Sequence, residues 1–117
     1  MPANVQPTPI QIYAEFDAQP PLVRQEAVQR YIGLEVDWPG TLADAREQKP
    51  GWVHVVCWPE PDDKRLIVCD VPLSEYPQLK QLRVGDPLQL RGRIHKIDVL
   101  SIQLDIQELV FAKAAGK

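Results

Sequence analysis

The strongest structural signal in this chain is the segment Val84-Gly-Asp-Pro-Leu-Gln-Leu-Arg-Gly-Arg-Ile-His-Lys-Ile97. Its first residues, Gly85-Asp86-Pro87, form a turn signal. Apolar and polar residues then alternate, which is the period of a half-buried β-strand. The inward set is Leu88, Leu90, Gly92 and Ile94, and the outward set is Gln89, Arg91, Arg93 and His95.

A second segment, residues 33–42, repeats this spacing. Gly33 and Gly40 are as far apart as Gly85 and Gly92, and apolar residues hold the matching positions between and after them. Each strand thus enters from a glycine and carries another glycine on its inward face. Such glycines mark places where a strand bends or is approached closely, so the pair predicts a small, strongly curved barrel.

The size and composition of the chain indicate one globular domain. It has 117 residues, of which 44% are hydrophobic and 25% charged, enough for a single core. No apolar run approaches the ~20 residues of a membrane helix. The polar start of the chain does not resemble a signal peptide, so we expect a cytoplasmic protein without a membrane partner.

The charge is distributed unevenly. The net charge of −3 argues mildly against a general nucleic-acid binder, which usually has a basic excess. Residues 1–79 carry 6 basic and 12 acidic residues, whereas residues 80–117 carry 7 and 4. The basic residues of the second part could bind an anion, but a solvated polar face is the favoured interpretation. They include Lys80, Arg83, Arg91, Arg93 and Lys96.

Two short helices are predicted before the first strand. Thr8-Pro9-Ile10-Gln11 begins the first, because Thr can cap, Pro suits the first helical position and Gln can reach back. The second covers residues 22–31, with Val23, Ala27 and Tyr31 on one face. Gly33 ends it.

The rest of the chain predicts five strands, with a short helix at 72–83 between the third and the fourth. In the first strand, Trp38-Pro39-Gly40 indicates a bend where the strand passes from one half of the barrel to the other. The alternation of the last strand shifts at Glu108-Leu109, which predicts a bulge or the strand end. The strands cover residues 34–46, 52–58, 65–71, 88–97 and 100–111.

This order resembles the OB-fold, a five-stranded Greek-key barrel. Residues 31–40 and 82–94 are similar to the small bacterial OB domains grouped as tRNA-anti-like, and the resemblance spans residues 27–111. It implies a mainly β fold with added helices: an N-terminal helical extension at 1–32, an OB-like barrel at 33–111 and a flexible tail at 112–117.

The sequence contains no motif for catalysis, for a cofactor or for a metal site. His54 and His95 lie on different predicted strands and supply too few ligands for a metal. Cys57 and Cys69 lie on neighbouring predicted strands, and in a cytoplasmic chain we expect them to be buried free thiols. We therefore expect a protein that is not an enzyme.

The candidate ligand-binding residues lie on two strands. If Val53, Val55 and Cys57 point inward, the outer face of the second strand carries an aromatic set. OB barrels that bind single strands stack bases on aromatic side chains while basic ones follow the phosphates. The aromatic strand would supply Trp52, His54 and Trp58, and the basic one Arg91, Arg93 and His95.

The same tryptophans could instead be covered by the N-terminal helices, whose apolar residues need a surface. For the tryptophans taken alone, the sequence favours this packing interpretation. The leading hypothesis for the protein is nevertheless a binding module for single-stranded nucleic acid or oligosaccharide. The alternative is a protein-interaction or scaffold domain, with a protein partner or a second copy, whose barrel face is covered by its own helices.

Overall fold

The computed structural model describes residues 7–59 and 65–111, and within them five strands form a closed barrel. The strands are β1 Glu35–Lys49, β2 Trp52–Trp58, β3 Leu66–Pro72, β4 Pro87–Ile97 and β5 Ser101–Val110. Around the barrel the order is β1-β2-β3-β5-β4, and β4 pairs with β1. All pairs are antiparallel except β3 with β5. This confirms the predicted OB-fold barrel.

The two glycine-led segments pair with each other. The Gly33 N–H donates to the Ile94 carbonyl at 2.7 Å, and the Gly85 N–H donates to the Leu42 carbonyl at 2.8 Å. Each leading glycine is thus bonded to the residue that lies nine positions after the leading glycine of the other segment. Both glycines have positive φ angles, 91° and 98°, which side chains rarely adopt.

The bend predicted at Trp38-Pro39-Gly40 marks a change of partner. Up to Thr41, β1 pairs with β4, and from Thr41 onward it pairs with β2. A Cβ on Gly40 would lie 2.9 Å from Leu90 Cδ1 and 3.2 Å from Cys57 Cβ. The absence of a side chain at Gly40 therefore leaves room for Leu90 and Cys57 at the point where β1 changes partner.

The register between β4 and β5 contains the bulge that the sequence predicted near Glu108. Arg91 faces Glu108, but the next residue, Gly92, faces Ile106. One residue of β5, Gln107, is therefore extra at this point. After the bulge Leu109 is buried, at 4% exposure, so the strand still contributes to the core.

The first N-terminal helix, α1 (Pro9–Ala18), begins as predicted. The Thr8 side chain accepts a hydrogen bond from the Gln11 N–H, and the Gln11 side chain accepts one from the Thr8 N–H. This reciprocal pair satisfies two backbone donors that the first turn would otherwise leave free. Its buried side includes Ile12, Tyr13 and Phe16.

The second predicted helix is present but is not continuous. A 3₁₀ turn at Pro21–Val23 leads into α2 (Arg24–Val28), and a 3₁₀ turn at Gln29–Tyr31 follows. Because the helical geometry changes twice within eleven residues, the predicted i, i+4 face does not persist. The buried residue is Val28, at 1% exposure, whereas Val23 is 36% exposed. The predicted face of Val23, Ala27 and Tyr31 was therefore wrong at Val23, whereas Tyr31 is partly buried and packs against the core.

The N-terminal segment is held at the barrel end where β4 finishes. The Tyr13 hydroxyl donates to the Asp98 carbonyl at 2.6 Å, and Gln25 Nε2 donates to the Ile97 carbonyl at 2.9 Å. From the barrel side, the Trp38 indole N–H donates to the Pro7 carbonyl at 2.8 Å. The buried side chains of α1 and α2 belong to the same hydrophobic cluster as the barrel interior.

The predicted short helix between β3 and β4 is a 3₁₀ helix, Pro77–Gln81, with Leu79 buried. Nearby, the Leu109 N–H donates to the Tyr76 hydroxyl at 3.3 Å. The predicted tail at 112–117 lies outside the described residues. Within residues 7–59 and 65–111, no helix has the length and apolar character needed to cross a membrane.

Candidate functional site

The outer surface of β2 carries the aromatic residues that the sequence singled out. Val53, Val55 and Cys57 are buried, as predicted, and the residues between them face outward. Trp52 is 43% exposed, so the N-terminal helices do not cover it. The contacts of those helices lie at the barrel end described above. The packing interpretation, which the sequence favoured for Trp52 and Trp58 together, is therefore wrong for Trp52, whereas Trp58 is half-buried.

A lysine accompanies Trp52 at the tip of the β1–β2 hairpin. Pro50-Gly51 makes a two-residue turn, and the pairing places Lys49 opposite Trp52. The Lys49 ammonium lies 5.7 Å from the centroid of the Trp52 ring, within the range of a cation–π contact. Sequence reasoning did not include Lys49, although a two-residue turn between two strands predicts this pairing.

His54 lies further along the same face and bonds to the next strand. Its Nδ1 is 2.9 Å from Asp70 Oδ1 on β3. On its other side it faces Arg46 of β1, which donates to Asp44 Oδ2 at 2.8 Å. This bond is the main reason why the pKa of the Asp44 carboxyl is lowered.

Trp58 closes the outer row of β2. It is half-buried and faces Thr41, where β1 changes partner. At a rise of ~3.3 Å per residue, the two tryptophans stand about 20 Å apart along the strand. We call this surface the β2 face. It consists of Asp44, Arg46 and Lys49 of β1, Trp52, His54 and Trp58 of β2, and Asp70 of β3.

Arg91 and Arg93 are not on the β2 face. They belong to β4, and β1 lies between β4 and β2. Arg91 bonds to Glu108 at 3.0 Å and to Asp37 at 3.4 Å, and Arg93 bonds to Glu35 at 3.1 Å. These arginines are therefore paired with carboxylates of neighbouring strands, which reduces the positive potential they offer a phosphate.

His95 lies near the β2 face but on another strand. It lines a shallow pocket of about 210 Å³ with Asp70 of β3 and with Gln103, Leu104 and Asp105 of β5. Asp70 thus has His54 on one side and the pocket of His95 on the other. Among the described residues, no three His, Cys, Asp or Glu side chains form a group that could hold a metal ion.

A larger depression of about 600 Å³ lies between the 3₁₀ helix at Pro77–Gln81 and the end of β5. Of its charged groups, Asp86 accepts from the Arg83 N–H at 2.9 Å and Glu108 is paired with Arg91. One wall ends at Phe111, the last residue that the structure describes. We place no site there.

The two cysteines are free and lie inside the barrel, which confirms the sequence prediction. Both are 0% exposed. Burial raises the pKa of the Cys57 thiol to about 12, and burial together with the neighbouring Cys57 and Asp70 raises the pKa of Cys69 still further. Neither thiol is a nucleophile at neutral pH, because the thiolate is the reactive form.

Comparison with known proteins supports the fold and gives no family. No family model matches the chain, and no curated protein matches it. The tRNA-anti-like resemblance is therefore not confirmed as a family assignment. The OB-fold itself is supported by solved structures of low sequence identity.

One similar structure is a candidate nucleic acid-binding lipoprotein from Klebsiella pneumoniae. It has a TM-score of 0.60 and 16% identity, and the match covers 86% of each chain. Another is the OBody AM1L10 bound to hen egg-white lysozyme, with a TM-score of 0.58, 13% identity and coverage of 74% of this chain and 85% of the OBody. At these identities the likeness extends to the fold alone.

A third similar structure is a candidate aspartyl-tRNA synthetase from Leishmania major. It has a TM-score of 0.55 and 12% identity, and the match covers 75% of this chain but only 19% of the synthetase. The likeness is thus to one barrel within a much longer protein. The three structures share a barrel with this chain and bear different names, so the barrel alone does not assign a function.

Proposed function

We propose that this chain is a non-enzymatic OB-fold module that binds single-stranded nucleic acid on its β2 face. The observation that carries the proposal is the exposed Trp52 ring with the Lys49 ammonium 5.7 Å from its centroid. An exposed aromatic ring is a stacking platform for a base, and an adjacent cation can meet the phosphate. The candidate nucleic acid-binding lipoprotein with the same fold supports this choice.

The charges of the β2 face indicate that base stacking contributes more to the binding free energy than phosphate contacts do. Its cations are Lys49 and Arg46, and Arg46 is paired with Asp44. Asp70 adds a second carboxylate. With so few basic groups we expect contact with one or two phosphates, and hence a log–log salt slope of only about −1.

An oligosaccharide is the second candidate ligand. The observation in its favour is the presence of Asp44 and Asp70 beside an exposed tryptophan, because carboxylates accept hydrogen bonds from hydroxyl groups. A neutral sugar releases no counterions on binding. Its affinity should therefore not depend on salt, which distinguishes it from a single strand.

The interaction-module alternative required the barrel face to be covered by the chain's own helices. The exposure of Trp52 gives that form of the alternative no support. A protein partner on the uncovered β2 face would compete with an oligonucleotide for the same tryptophan. A competition experiment in solution can therefore distinguish binding of a protein partner from binding of nucleic acid.

The test is titration of the protein with an oligothymidylate at low salt while tryptophan fluorescence is recorded. We expect quenching, and a loss of roughly 1–3 kcal/mol of binding free energy in Trp52→Ala, the usual size of one base–aromatic stack. Trp52→Ala should keep a near-native melting temperature because its ring is exposed. Absence of quenching, with the protein folded, would contradict the proposal.

A further inference from the structure

We infer that nucleic-acid binding on the β2 face is controlled by protons through His54, which strengthens binding when it is protonated. The inference rests on the proposed function, since it concerns the regulation of the same site. It starts from the position of His54 on the outer row of β2, two residues from Trp52, and from its bond to Asp70.

The bond to Asp70 fixes the form of the neutral imidazole. An ionised carboxylate can only accept, so the ring proton of neutral His54 is placed on Nδ1, 2.9 Å from Asp70 Oδ1. The other nitrogen, Nε2, then carries a lone pair and repels a phosphate oxygen. Protonation turns Nε2 into an N–H donor and adds a positive charge beside the stacked base.

The positive and negative charges around His54 are equal in number, so that one added proton changes the net charge of the β2 face. From β1, Arg46 faces His54 and is bonded to Asp44. Asp44 itself faces Val56, but it is close enough for the His54 charge to contribute to the lowering of its pKa. From β3, Asp70 faces it. With Lys49 at the hairpin tip, the face has two cations and two carboxylates while His54 is neutral. Protonation gives it a net positive charge.

The experiment measures the affinity for oligothymidylate from about pH 8 to about pH 5.5. Thymine bases do not titrate in this range. We expect the affinity of the natural protein to rise by about 5-fold as the pH falls, the size of one close charge contact in water. His54→Gln should remove most of this rise, measured as the ratio of its own affinities at the two ends of the pH range.

His95→Gln is the matched control, because His95 also lies beside Asp70 but not on the β2 face. It should keep the pH dependence. Binding that does not change with pH, or that changes equally in His54→Gln, would overturn the inference and leave the proposed function intact. Failure of the folded natural protein to bind at every pH would instead overturn the proposed function. Circular dichroism at each pH confirms that the compared variants are folded.

Discussion

Gly92 of β4 lies so close to the Asp105 carbonyl of β5 that no side chain fits at this position. A Cβ on Gly92 would run into that carbonyl and would stand 3.0 Å from Ile106 Cα. The obstacle is backbone, which cannot move without breaking the pairing of β4 with β5. The contact lies beside the bulge that shifts the register between Arg91 and Gly92.

Gly92→Ala should therefore destabilise the protein by roughly 1–3 kcal/mol through overpacking. Gly40→Ala is the matched control, since its nearest obstacle is the mobile end of the Leu90 side chain at 2.9 Å. We expect a smaller loss there. Urea unfolding of both variants measures the difference, and a Gly92→Ala protein as stable as the natural one would contradict the assigned role.

The two barrel cysteines should be unreactive in the folded protein. Because burial raises the pKa of Cys57 to about 12 and that of Cys69 further, almost no thiolate is present at neutral pH. A thiol reagent should find no accessible group in native protein and two groups in denaturant without reductant. A denatured protein with no titratable thiol and a mass lower by two hydrogens would reveal a disulfide.

The attachment of α1 to the barrel should weaken in acid. Arg65 bonds to Asp17 at 2.9 Å and thereby lowers the pKa of that carboxyl. The folded state then binds protons less readily than the unfolded state. The ion pair therefore stabilises the protein fully above the pKa that Asp17 has in the unfolded chain, about 4. This stabilisation is lost as the pH falls through the lower pKa that Asp17 has in the folded protein.

Thermal melts between about pH 7 and about pH 3 measure this loss. Arg65→Gln should show a smaller fall in melting temperature than the natural protein, because it lacks the partner that lowers the Asp17 pKa. In an Asp17→Asn background the same substitution should have a reduced effect. Equal pH dependence in the Arg65→Gln and natural proteins would contradict the assignment.

Much of the barrel could be predicted because its signals are local. Alternation along β2 placed Val53, Val55 and Cys57 inside, and the spacing of glycines marked the paired strands β1 and β4. The prediction of a single helix at 22–31 was wrong because the segment consists of three short helical pieces, and none is long enough to maintain one buried face. There the barrel end, rather than helical periodicity, selected Val28 as the buried residue.

The candidate site could be predicted only in part because pairing between distant strands decides it. The sequence placed Arg91 and Arg93 on an outer face, but their carboxylate partners lie on β1 and β5. The order of strands around the barrel then separates these arginines from the tryptophans. Lys49 joins Trp52 through a hairpin of two residues, a signal that was present in the sequence.

If the ligand binds on the β2 face, the cations of that face should matter more for binding than the arginines of β4. Lys49→Ala should weaken binding to oligothymidylate and bring the salt slope closer to zero by about 1, as expected when one phosphate contact is removed. Arg91→Ala should change the affinity little, because Arg91 is engaged with Asp37 and Glu108 on the far side of β1. Fluorescence titrations at several salt concentrations compare the two variants. The reverse order of effects would place the ligand on β4.

The proposed binding on the β2 face is tested most directly by the indole N–H signals of the three tryptophans in an NMR titration with oligothymidylate. Trp38 is an internal control, since it is 1% exposed and its N–H is bonded to the Pro7 carbonyl. We expect the Trp52 signal, and to a smaller extent that of Trp58, to shift until the protein is saturated, while the Trp38 signal does not move. An unchanged Trp52 signal, with shifts confined to β4 amides or absent altogether, would contradict it.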